Sequence, residues 1–139
     1  MTKIISEFQG DFRWLSNFWP VYGTTAEHLY QAAKMVHPED ARAIMSELTP
    51  TGAKIRARAK EIRTDWESSK LEVMLQILRW KFTEPSLRQK LLDTEDAILE
   101  EGNRWKDTYW GVCPPLSGNG SNHLGRLLMK VRDEIQRSK

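Results

Sequence analysis

The sequence predicts an α+β fold, mostly α-helical, as a single domain over residues 1–139 with one small β-sheet. Apolar residues recur at helical spacing along most of the chain, most clearly at Leu71, Leu75, Leu78 and Phe82. Segments that read as strands are few and short. At 139 residues, with no repeat, linker or low-complexity stretch, the chain suits one domain that buries roughly two-thirds of its unfolded surface.

Residues 4–8 read as the first strand. Residues 11–23 mix aromatics with Asn, Pro and Gly and read as a structured loop. A helix starts at Thr24 or Thr25 and runs to about Val36, where His37-Pro38 stops it, since the residue before proline avoids helical dihedrals. Residues 39–48 form a second helix, closed by Thr49-Pro50-Thr51-Gly52. Residues 54–63 form a basic helix with Ile55, Ala59 and Ile62 on its inner face, its outer face either solvated or directed at phosphate. Residues 66–82 are the central buried helix, and Pro85 opens a short one through Leu92. Residues 97–100 and 109–113 read as strands. The last helix begins after Ser121-Asn122, both good caps, and turns Leu124, Leu127, Leu128, Val131 and Ile135 inward.

Composition narrows the function. Hydrophobic content of 40% and charged content of 29% are those of a globular protein. A net charge of +2 gives no global field toward nucleic acid or membrane, and no apolar run reaches the length of a membrane span. The single Cys113 excludes an intrachain disulfide, so a cytoplasmic location is expected. His28, His37 and His123 lack ligand spacing with one another or with Cys113, and neither metal nor cofactor is expected. Six tryptophans are many for this length, more than a core alone requires.

Two segments carry candidate chemistry. On the helix after Thr24, Glu27, Gln31 and Lys34 fall at i, i+4 and i+7 on one face. Facing a cavity, the carboxylate can move a proton at a ligand atom, and the amine can hold phosphate or attack an electrophilic carbon. The same Thr24-x-x-Glu27 is also a capping box, in which Glu27 would only satisfy backbone. Farther on, Asp107 precedes Thr108-Tyr109-Trp110-Gly111. It is either a turn residue or a partner for Glu27, since two carboxylates can divide the work at one glycosidic carbon. Gly118-Asn119-Gly120-Ser121-Asn122 then leads into a helix whose N-terminus could receive a phosphate.

Ordered along the chain are Leu15-Ser16-Asn17-Phe18, Thr25-Ala26-Glu27-His28, Gln31-Ala32-Ala33-Lys34, Asp65-Trp66-Glu67, Lys81-Phe82, Asp107-Thr108-Tyr109-Trp110-Gly111 and Asn122-His123-Leu124-Gly125-Arg126. Together they resemble the NADAR, or YbiA-like, family over nearly the whole chain. The resemblance implies cleavage of N-glycosidic bonds. The substrate would be a ribose phosphate joined to a pyrimidine-type intermediate of riboflavin biosynthesis, or ADP-ribose joined to guanine. It implies Glu27, Trp66 and Asp107 as active-site residues, and Lys34 as a lysine that forms a Schiff base with the ring-opened sugar. Such an imine needs a neutral, desolvated amine. The segment between Asn17-Phe18 and Glu27 is shorter than in many members, and Ala57-Arg58 stands where the family has Gly-Arg.

The expected function is therefore an N-glycosidase acting on a small phosphorylated riboside or an ADP-ribosylated base, which modified nucleic acid could carry. Arg13, Arg58 and the loop through Gly120 and Asn122 are candidates for the phosphate. Asn17, Phe18, Gln31 and Trp110 are candidates for lining the sugar and base. A non-catalytic ADP-ribose or nucleotide-binding module is the rival from another class. A nucleic-acid-binding domain using residues 54–63 is the third.

Overall fold

The computed structural model describes residues 2–138. Backbone contacts divide the chain into a central unit, Asn17–Ile77, and a terminal unit made of the residues up to Ser16 and those from Leu78 onward. The division falls inside helix α4 (Trp66–Lys81). The secondary structure is that of a mostly helical α+β protein.

The terminal unit begins with the short strand β1 (Ile4–Ile5), and the central unit with a hairpin. Strands β2 (Pro20–Val21) and β3 (Thr24–Thr25) pair antiparallel, with Pro20 opposite Thr25. Tyr22 and Gly23 form the turn with φ of 51° and 80°, the left-handed pair that matches strand twist in a two-residue hairpin. Thr24 and Thr25 are therefore strand, not the helical start read from sequence. Helix α1 (Ala26–Ala33) packs against α2 (Pro38–Met45) and α3 (Pro50–Ala57), which also pack on each other. Met35, Ile44, Ala53 and Ala57 make their shared core, flanked by Ala32 and Ala41. Small residues at four of these six positions let the helix axes approach closely.

Helix α3 departs from the sequence reading. Thr49 caps it, its Oγ1 accepting the Gly52 N–H at 2.9 Å, and Pro50 takes the first helical position, where the missing N–H costs nothing. The helix thus starts earlier than residue 54 and ends at Ala57 rather than near Arg63. Its buried residues are Ala53 and Ala57, while Ile55 is 55% and Ile62 44% exposed, so the expected apolar stripe is not the inner face.

In the terminal unit, β1 lies parallel to β4 (Ile98–Leu99), Ile4 opposite Ile98. Helix α6 (His123–Arg137) packs on β4 and on α5 (Pro85–Asp93). A side chain at Gly125 would place its Cβ 2.0 Å from the Leu99 carbonyl oxygen, so glycine is what lets α6 approach β4. Part of the expected loop is a 3₁₀ helix, Gly10–Leu15. The strand expected at residues 109–113 is reduced to one isolated parallel bridge between Gly102 and Val112. Along α4 the buried apolar residues include Met74, Leu75, Ile77 and Leu78, whereas Leu71, expected in that stripe, is 37% exposed. No helix among the described residues is long and apolar enough to cross a membrane.

Candidate active site

Helix α1 is fixed at its start by a threonine and a histidine. Thr25 Oγ1 accepts the His28 N–H at 3.1 Å and also meets His28 Nδ1 at 2.8 Å. His28 Nε2 lies 2.8 Å from the Glu47 carbonyl oxygen, so this nitrogen carries the proton and Nδ1 accepts from the Thr25 hydroxyl. The cap is thus Thr25 with His28, one residue on from the box read in the sequence. Glu27 takes no part in it, and the capping alternative for Glu27 is removed.

Glu27, freed from the cap, is 8% exposed. Its N–H donates to the Asn17 carbonyl at 3.0 Å, and Gln31 Nε2 donates to its Oε1 at 3.1 Å. Gln31, itself 4% exposed, sits one turn along the same face as expected. Asn17 Nδ2 points to Met74 Sδ at 3.7 Å, while its Oδ1 is buried without a hydrogen-bond partner. Lys34 closes α1, with Nζ 5.0 Å from the centre of the Tyr30 ring. The Tyr30 ring packs against Trp66 at 5.1 Å with a 59° tilt, and the Arg63 guanidinium lies 5.9 Å from the Trp66 ring centre. At 5% exposure Trp66 is a wall rather than an open stacking surface. Arg63 is itself anchored, bonding the Ala33 carbonyl at 3.3 Å and Asp65 at 2.8 Å.

The electrostatics favour the uncharged forms. Burial pushes the Glu27 carboxyl above the usual carboxylate range, opposed by the Gln31 hydrogen bond and then by the charges of Lys54 and Lys34. Burial likewise pulls Lys34 below the usual amine range; Glu27 opposes this, and Lys54 and Lys70 reinforce it. The carboxylic acid is the form that can donate a proton, and the free amine is the form that can attack carbon. The central unit therefore holds a buried carboxyl and a half-buried amine on one helical face, with Tyr30 and Trp66 packed beside them. Among the described residues no group of His, Cys, Asp and Glu side chains could hold a metal ion.

Sequence reasoning passed over three of these residues. Lys54 read only as one member of a basic run that was either solvated or directed at phosphate, and Tyr30 and Arg63 carried no motif of their own. Of the other central-unit candidates, Phe18 is 42% exposed and Arg58, at the end of α3, is exposed.

The terminal unit holds the remaining candidates. Asp107 Oδ1 accepts the N–H groups of Tyr109 at 3.1 Å and Trp110 at 2.9 Å. Asn103, only 1% exposed, braces the same turn by donating to the Asp107 carbonyl at 2.8 Å and accepting its N–H at 3.1 Å. This side-chain turn takes the place of the expected strand. Trp110 packs edge-on to Tyr109 at 5.0 Å. Arg13 is an exposed residue of the 3₁₀ helix.

Most of the amides that the sequence offered to a phosphate around Gly120 and Asn122 are used within the fold. The N–H groups of Ser121, Asn122, His123 and Leu124 donate to the carbonyls of Thr108, Gly111, Tyr109 and Trp110. Asn122 has φ of 53° and does not cap α6; its side chain donates to the Leu99 carbonyl at 2.9 Å and accepts from Glu101 N–H at 3.0 Å. Gly120 meets backbone as well, since a Cβ there would stand 2.2 Å from the Gly111 carbonyl oxygen. The backbone amides of Asn119 and of Ser121 through Leu124 are thus already bonded within the fold.

Residues 7–136, taking in parts of both units, match the NADAR domain. The chain is 38% identical to N-glycosidase YbiA of Escherichia coli over 141 residues, covering 94% of this chain and 84% of that protein. It is 37% identical to an N-glycosidase of Nostoc punctiforme, covering 87% of this chain and 84% of the relative. A chloroplastic riboflavin biosynthesis protein of Zea mays, PYRR, is 39% identical over 84% of this chain, which spans 20% of the maize protein. The NMR structure of E. coli YbiA superposes with a TM-score of 0.84 at 35% identity, covering 99% of this chain and 88% of that one. By the domain match, by these identities and by the shared structure, the chain belongs to the NADAR domain family.

Proposed function

We propose that this protein is an N-glycosidase that hydrolyses the bond between base and ribose in a phosphorylated riboside, and that the buried face of α1 is its reaction centre. The observation that carries this reading is Glu27 and Lys34 on one face of α1, each drawn by burial toward its reactive form. An acid beside a free amine has the same net charge as a carboxylate beside an ammonium. Burial therefore lowers the cost of the productive pair without changing the total charge.

In the reaction, Glu27 gives its proton to the departing base nitrogen as the anomeric C–N bond breaks and its electrons leave with the base. Lys34 Nζ forms the new bond to the anomeric carbon, and its surplus proton returns to the Glu27 carboxylate. Opening of the sugar ring yields an imine. Water then adds to that carbon, releasing the sugar phosphate and restoring the amine. Trp66 and Tyr30 limit water around the amine. Asp107 enters on its motif: among the described residues its Oδ2 has no hydrogen-bond partner, which suits a sugar hydroxyl or a water. Trp110, Phe18 and Asn17 remain candidates for lining the base and sugar, and Arg13 and Arg58 for the phosphate. A reducing compartment such as the cytoplasm suits the free Cys113.

The substrate is proposed to be either a ribosylamino-pyrimidine phosphate of riboflavin biosynthesis or an ADP-ribosylated guanine, alone or in nucleic acid. Mass spectrometry of each compound after incubation with the protein decides between them. Free base from one of the two is expected. Intact substrates together with tight ADP-ribose binding would mean a binding module instead.

A further inference from the structure

The basic run from Lys54 to Arg63 separates, in the structure, into cations with partners and cations without. Arg56 pairs with Glu47, Lys60 with Asp40 at 3.7 Å and Arg63 with Asp65 at 2.8 Å. Beside the candidate site, Lys70 pairs with Glu67 at 2.7 Å. Among the described residues the side chains of Lys54 and Arg58 make neither a hydrogen bond nor an ion pair. Lys54 also stands in a particular place. It follows Ala53, which is fully buried in the core that α3 shares with Ala32 of α1. Helix α3 packs on α1 there, and Lys54, the next residue along α3, lies within electrostatic reach of Glu27 and Lys34.

Two consequences follow from that position. Lys54 is the leading charge acting on Glu27, ahead of Lys34, and it also acts on Lys34. When Glu27 holds the proton it is to donate, the nearby carboxylate no longer balances the Lys54 ammonium. An exposed cation without a partner, next to a site that is uncharged in its working state, is arranged for an anion supplied from outside.

We propose that Lys54 binds the phosphate of the substrate and sets the preference for phosphorylated over free ribosides. It does so in place of the loop at residues 118–122, where the amides of Asn119, Ser121 and Asn122 are bonded within the fold. This assignment rests on the glycosidase reading above and deepens it.

The test compares kcat/KM for ribosylamino-pyrimidine 5′-phosphate with that for the same compound stripped of phosphate, in wild type, Lys54→Gln and Lys54→Arg. The preference for the phosphorylated compound is expected to fall about tenfold to hundredfold in Lys54→Gln, the scale of one charge-assisted hydrogen bond, and to be largely kept in Lys54→Arg. Equal losses on both compounds would overturn the proposal, because Lys54 would then act only through Glu27 and Lys34. An unchanged preference would overturn it as well. Titration of wild type with inorganic phosphate, followed by backbone amide NMR shifts, stands apart from catalysis. Shifts around residues 27–34 and 52–56 that vanish in Lys54→Gln support the proposal even if neither compound is cleaved. Their absence in wild type overturns it whatever the catalytic result.

Discussion

Replacing Glu27 by glutamine is expected to lower kcat about 10²- to 10⁴-fold, the usual range for losing a positioned general acid, while the protein stays folded. The amide keeps the size and shape of the carboxyl, and its oxygen can still accept from Gln31 Nε2. It cannot give up a proton to the departing base. Stability should not suffer, and the sign follows from burial. Glu27 has a folded-state pKa above its ordinary value, so the folded state holds the proton more tightly than the unfolded chain. Stability from this group is therefore present at low pH and declines as pH rises through the raised pKa. Substitution removes that penalty at neutral pH. Base release followed by mass spectrometry, with thermal unfolding by circular dichroism, checks both halves. A large loss of activity together with an unfolded protein would leave the loss without catalytic meaning, and Glu27→Asp would then test whether a carboxyl at another reach restores turnover.

The second large effect concerns a lysine remote in role from this chemistry. Lys81 is fully buried at the end of α4, and its Nζ donates to the Ser16 carbonyl at 2.9 Å. Burial lowers its pKa from 10.5 to about 7. Below that value both folded and unfolded chains carry the proton, and the full cost of a buried ammonium is present. Between about 7 and 10.5 the unfolded chain binds the proton and the folded one does not, so stability rises with pH across that window. The expected slope from this one group approaches about 1.4 kcal/mol per pH unit. Urea unfolding at several pH values from 7 to 10 should show it in wild type and lose it in Lys81→Met. An equal slope in both proteins would mean that Lys81 is not the group responsible.

Helices were legible in the sequence because their periodicity spans several turns. Helices α4 and α6 emerged with nearly their true bounds. Strands β1 and β4 lay within the segments read as strands but with overlong bounds, and the β2–β3 hairpin was missed, since strands of two residues cannot display alternation. Helix α3 was misplaced because Ile55 and Ile62 form an apparent stripe, whereas the packed face uses alanines, whose burial leaves little trace in hydropathy. The i, i+4, i+7 spacing placed Glu27, Gln31 and Lys34 together, and helix geometry alone was enough for that. Which threonine starts α1 depended on a two-residue hairpin turn, and so did the choice between cap and acid for Glu27. Asn122 read as a cap, yet a left-handed backbone there turns its carboxamide toward Leu99 and Glu101. Lys54 could not be told from its basic neighbours until the carboxylates that pair with the others were in place.

The central claim, that the buried face of α1 carries the reaction, is tested most directly by trapping. Wild type is incubated with its cleavable riboside in the presence of borohydride, which reduces an imine to a stable amine, and the digest is mapped by mass spectrometry. The sugar mass is expected on the peptide containing Lys34, with no such adduct in Glu27→Gln, where base release is blocked. Base release by wild type with no adduct on Lys34, and with turnover undiminished in Glu27→Gln, would contradict it.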